Sequence, residues 1–121
     1  MTVKIASASP NFTSPVRLFI QADGAPVVHE FNATFRRVKA SERTALAAKS
    51  LRELLDDVMV GWGGMKDENG RDVPYSHAER IATDDAYPGL EMAIAVSFWD
   101  HSMLNQREAA AKNSGAPSAT S

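Results

Sequence analysis

The chain has 121 residues, with 13 basic and 15 acidic side chains and a formal charge of -2, a length that suits one domain with a core of its own. It contains no cysteine, which excludes disulfides, thiolate metal sites and cysteine nucleophiles and fits a reducing compartment. The slightly acidic balance argues against affinity built on phosphate contacts, and with no apolar run long enough for a secretory leader or a membrane span the expectation is a soluble cytoplasmic protein that binds neither nucleic acid nor membrane.

The elements expected in chain order begin with an extended N-terminal arm over residues 1–15, where Pro10 and Pro15 oppose a helix. Val16, Leu18 and Ile20 then alternate with Arg17, Phe19 and Gln21. Turn residues follow at Ala22 to Pro26, and a second run from Val27 to Val38 places Val27, His29, Phe31, Ala33 and Phe35 on one face. This period of two predicts a half-buried antiparallel hairpin. From Ser41 as N-cap, helix formers without Gly or Pro predict one amphipathic helix over Glu42 to Met59, with Ala47, Leu51, Leu54, Leu55 and Val58 as its stripe.

Gly61, Gly63 and Gly64 around Trp62 then end the helix in a tight bend that buries the tryptophan, and Asn69-Gly70 predicts a two-residue type I′ turn. Ser76 with Glu79 has capping-box spacing for a short helix from His77 to about Thr83. Asp84 to Gly89 breaks it, and Pro88 is placed in the first turn of a last helix running to about Lys112. That helix is apolar on two sides: Leu90, Ala93, Ile94, Phe98 and Leu104 form one, and Met92, Val96, Trp99 and Met103 the other. So wide an arc exceeds what one neighbour covers, and it marks Met92, Val96, Trp99 and Met103 as candidate partner-binding residues. Residues 113–121, polar and Pro/Gly-containing, are expected to be a disordered tail. The fold class is therefore α+β: an antiparallel hairpin packed with a bundle of about three helices, with a short loop or hairpin between the first two, in one domain over residues 16–112.

No residue set resembles an active site or a metal centre. His29, His77 and His101 are isolated and lack helical ligand spacing. The pairs Asp56-Asp57 and Asp84-Asp85 point about 100° apart on a helix and read as solvated or capping groups. The acidic stretch from Asp67 to Asp72 fails as a calcium loop because Ala78 stands where the twelfth ligand should be. Gly61 to Gly64 matches no phosphate loop. Arg36, Arg37, Lys39 and Arg43, without interleaved aromatics, read as a solvated rim. No catalytic residue, metal or cofactor is expected.

The segment Val60, Gly61, Trp62, Gly64, Lys66, Asp67, Glu68, Gly70, Val73, Pro74, Tyr75 and Ser76, set between a first helix and a short second one, resembles the tail assembly chaperones of long-tailed bacteriophages. The signature residues of that resemblance are Gly61, Trp62, Gly64, Asp67, Gly70, Pro74, Tyr75 and Ser76. It implies a non-catalytic protein of the infected bacterial cytoplasm, absent from the mature virion, that binds and solubilises the tape measure protein and helps recruit tail-tube protein. It also implies a frameshifted longer form of the same chain as a partner, and homo-oligomers are a further expectation. A structural tail subunit or head-tail connector or terminator subunit is the alternative suggested by a small α+β chain. An enzyme or nucleic-acid regulator is disfavoured by the lack of a nucleophile-base set or a basic face.

Overall fold

The structure, a computed structural model, describes residues 10–102. Strand β1 (Asn11–Ile20) and strand β2 (Val27–Arg36) form the expected hairpin, paired antiparallel from Asn11 opposite Arg36 to Ile20 opposite Val27. Ser14, Val16 and Leu18 of β1 share the buried side of the sheet with Phe31, Ala33 and Phe35 of β2. The pairing starts five residues inside the expected arm. Pro15 is tolerated there because β1 is an edge strand, with β2 at the centre of the sheet. Val27 and His29 share the period of the buried face but lie exposed, although Leu18, opposite His29, is buried and Ile20, opposite Val27, packs against the core.

The single helix expected over residues 42–59 is two. After a 3₁₀ turn at Ala40–Glu42 come α1 (Arg43–Ala47) and α2 (Leu51–Val58), separated at Ala48 to Ser50. Ser50 causes the break: its hydroxyl accepts from the Glu53 backbone N–H, and the Glu53 carboxylate accepts from the Ser50 N–H, which restarts a helix in extended backbone. The restart changes the phase, so Leu46 is buried and Ala47 exposed, while Leu54, Leu55 and Val58 fill the inner side of α2.

A second correction concerns the expected bend. Met59–Gly63 is strand β3, antiparallel to β2, making a three-stranded sheet in the order β1-β2-β3. Gly61 and Gly63 stand opposite Thr34 and Asn32 on the outer face, where a strand needs no side chain to fill a core. Met59 pairs with Phe35 and Gly61 with Thr34, so Val60 is the extra residue of a bulge and is 48% exposed.

α3 (His77–Ala86) runs three residues past the expected end, and α4 begins at Leu90 rather than Pro88, covering Leu90–Ser102. α4 lies across β1 and against α2 and α3. Its inner face supplies Leu90, Ile94 and Phe98, all fully buried, to a core with Val16, Phe35, Leu55 and Val58. Phe98 stands edge-on to Phe35 at 5.1 Å and stacks with Phe12 at 6.2 Å. Ser97 fastens the helix to the sheet edge: its hydroxyl donates to the Pro15 carbonyl at 2.6 Å and accepts from Ser14 at 2.7 Å. Both buried hydroxyls are thereby satisfied. The fold is α+β, as expected, with a third strand and four α-helices among the described residues. Met103 and Leu104, residues 1–9 of the arm and the tail over 113–121 lie outside the described residues.

Candidate functional site

The signature segment is a structural clamp. Trp62, on β3, is half-buried, edge-on to Phe31 at 6.1 Å and to Tyr75 at 5.1 Å, and its indole N–H donates to the Val73 carbonyl at 2.8 Å. One side chain thus holds both ends of the loop that leaves β3 and returns to α3. The expected burial of Trp62 is partial: the ring packs against the core and keeps one side open.

The loop tip also differs from the expected type I′ turn. Asn69 has no positive φ; Gly70 alone has, at 77°. The Gly70 N–H donates to the Asp67 carbonyl, the Asp67 N–H donates to the Arg71 carbonyl, and Lys66 bridges to Asp72. This is a three-residue hairpin loop closed by glycine in left-handed conformation. Asp67 selects it, because its carboxylate accepts from both the Asn69 and Arg71 backbone N–H at 2.9 Å. Gly64 takes φ 80° beside the backbone of Phe31 and turns the chain out of β3. Pro74 is exposed at the return, and Ser76 caps α3 by accepting from the Glu79 N–H at 3.0 Å.

Tyr75 leads to a feature that sequence reading missed. Arg80 of α3 is fully buried, and its guanidinium donates to Glu91 at 2.8 Å, to the Tyr75 oxygen at 2.8 Å and to Asp56. Glu91, only 3% exposed, also accepts from Arg52 at 2.9 Å, and Asp84 caps α4 by accepting the Glu91 N–H at 3.0 Å. Burial opposes the Arg80 charge, but the bonds to Asp56 and Glu91 outweigh it and hold the guanidinium above its ordinary pKa. Burial likewise pushes the Tyr75 phenol up, against the pull of Arg80. Since Arg80 can only donate, the phenol O–H is left to donate a hydrogen bond to His77 Nδ1 at 2.8 Å, and in the tautomer this selects His77 Nε2–H donates to the Asp56 carbonyl at 3.1 Å. The network ties α2, α3, α4 and the signature loop together. At its centre is a permanently charged cation with carboxylates already bound to it.

Asp56 and Asp57 diverge as helical geometry requires: Asp56 pairs with Arg80, whereas Asp57 pairs with Arg36 at 2.8 Å. Arg36, taken above as solvated rim, also pairs with Glu42 at 3.1 Å. The histidines stay apart, and among the described residues no group of three or more metal-ligating side chains converges. No helix of the described residues is long and apolar enough to cross a membrane.

Of the candidate partner residues within the described range, Met92 and Val96 lie on the opposite side of α4 from the core and Trp99 flanks it. Met92 is 57% and Val96 52% exposed, while Trp99 is half-buried edge-on to Phe98 at 5.0 Å. Together with Leu46, Leu51 and Leu54 they line an open groove of about 340 Å³ between α4 and the α1–α2 break, with Lys49 and Asp100 at its rim. The break at Ser50 therefore creates the second wall of the groove. A second groove, of about 460 Å³, lies on the other side of the molecule between the ribbon end, the loop after β3 and α3. No family model, curated protein or solved structure matches the chain.

Proposed function

We propose that the protein is a non-catalytic phage tail assembly chaperone that binds apolar helical segments of the tape measure protein in the infected cell. The observation that carries this reading is the groove on α4, where Met92 and Val96 remain exposed beside Trp99 although the opposite face of the same helix already fills the core. An amphipathic helix laid into such a groove buries its apolar face. Methionine adapts that contact to non-identical sites along a long partner, and many weak copies on one chain hold it by multivalency. On this reading the protein works in the host cytoplasm, gives way to tail-tube protein without a nucleotide or metal, and is missing from finished particles. Co-expression with the tape measure protein is expected to raise that protein's solubility and yield a complex that Met92→Glu with Val96→Glu abolishes. No effect on solubility and no complex would sink the proposal. Finding the protein in purified particles by mass spectrometry would favour a structural tail or connector subunit instead.

A further inference from the structure

We infer that the groove between the ribbon end, the loop after β3 and α3 is a docking site for a short amphipathic peptide segment of another protein that carries lysine or arginine beside apolar side chains. The site is separate from the α4 groove and does not rest on the chaperone reading. Its floor is apolar: Leu18, Phe31 and Leu90 are buried beneath it, Met65 is half-buried, and the Tyr87 ring is 49% exposed at its edge. The volume falls in the range of natural ligand clefts.

Charge decides the occupant. Asp67, Glu68 and Glu79 line the groove, and no cation among the described residues pairs with any of them, although Asp67 accepts two backbone N–H groups. The other charged groups at the rim are already matched: Glu30 pairs with Arg17 at 3.1 Å, and Lys66 pairs with Asp72. An apolar floor under an uncompensated acidic rim attracts a cationic, partly apolar segment and repels phosphate. The α4 groove, whose rim carries Lys49 and Asp100, has no such bias.

The test is a titration of the whole protein with two synthetic peptides of equal length, one alternating leucine with lysine and one alternating leucine with glutamate, followed by backbone amide NMR. The lysine peptide is expected to shift Met65, Glu68 and Tyr87, with an affinity that weakens as salt is added and falls about tenfold in Glu68→Gln with Glu79→Gln. Both carboxylates are free of described ion pairs, so the variant should melt with the parent. Equal binding of the two peptides, shifts centred on Met92 and Val96, or no binding of the lysine peptide at about 1 mM would each overturn the inference. Failure to bind a tape measure protein would leave it standing.

Discussion

α2 and α4 pack against each other, yet their outer faces are opposites. α2 buries Leu54, Leu55 and Val58 and turns Arg52, Glu53, Asp56 and Asp57 outward, where three of the four make ion pairs. α4 buries Leu90, Ile94 and Phe98 and still turns Met92 and Val96 outward. Folding buries Leu54, Leu55 and Val58 of α2, leaves Leu51 at the groove, and accounts for only one side of α4. Met92 and Val96 on the outer side of α4 are exposed apolar residues whose choice burial does not explain, as are Phe19, Val27, Val28, Val60 and Tyr87 elsewhere among the described residues.

The contrast is broken or sharpened first by truncation on the two sides of α4. Phe98→Ala should cost about 3 to 5 kcal/mol, because a fully buried ring leaves a cavity against Phe35 and Phe12. Val96→Ala should stay within about 0.5 kcal/mol, as exposed substitutions do. Denaturant unfolding of both variants measures the gap. Equal losses would mean that the outer face is covered within the folded chain, and the α4 groove would no longer be a free surface.

Next in size is Arg80→Ala, expected to cost about 3 kcal/mol by leaving Glu91 buried with one partner fewer. The lower end of the range applies because Arg52 still holds Glu91. The double variant Arg80→Met with Glu91→Leu should recover most of the loss, since replacing both buried charges by apolar groups removes the desolvation cost as well. If the double variant is no better than the single one, the seam between α3 and α4 depends on its charges beyond their pairing. Trp62→Ala should cost about 2 kcal/mol, below the usual range for a tryptophan, because the ring is only half-buried. A parent-like melting temperature would mean that Tyr75 and Val73 hold the loop without it.

How much of this was legible follows from the period of each signal. Val16, Leu18, Phe31, Ala33 and Phe35 repeat every second residue, so the hairpin and its buried face could be read directly. β3 could not, because Gly61, Gly63 and Gly64 read as breakers and only the neighbouring β2 shows that the outer face of a paired strand accepts glycine. The break between α1 and α2 was available: Ser50 and Glu53 have the same capping-box spacing as Ser76 and Glu79, but the absence of Gly and Pro concealed it. Arg80 was hidden for a different reason. A charged residue in a helix reads as solvent-facing unless its partners are known, and Glu91 and Asp56 reach it from two other helices. At the candidate site, the surplus apolar side of α4 was legible, whereas the wall opposite it depended on the break that was missed.

The smallest effect tests the polar half of the comparison. Arg36 bridges Glu42, just before α1, to Asp57 on the outer face of α2. The Glu42 carboxylate accepts from the Lys39 backbone N–H at 2.8 Å, and that bond, helped by Arg36 against a smaller desolvation effect, holds its pKa below the ordinary glutamate value. A depressed folded pKa means that the stabilisation is present above the unfolded value of about 4.3 and is lost as pH falls through the folded value. The melting temperature of the parent should therefore exceed that of Glu42→Gln near neutrality, with the two curves converging as pH falls below about 4. Because this carboxylate sits near solvent, added salt should narrow the gap as well. A gap that persists unchanged into acid would show that the glutamine variant loses packing rather than charge. The outer face of α2 would then owe less to its ion pairs than its contrast with α4 requires.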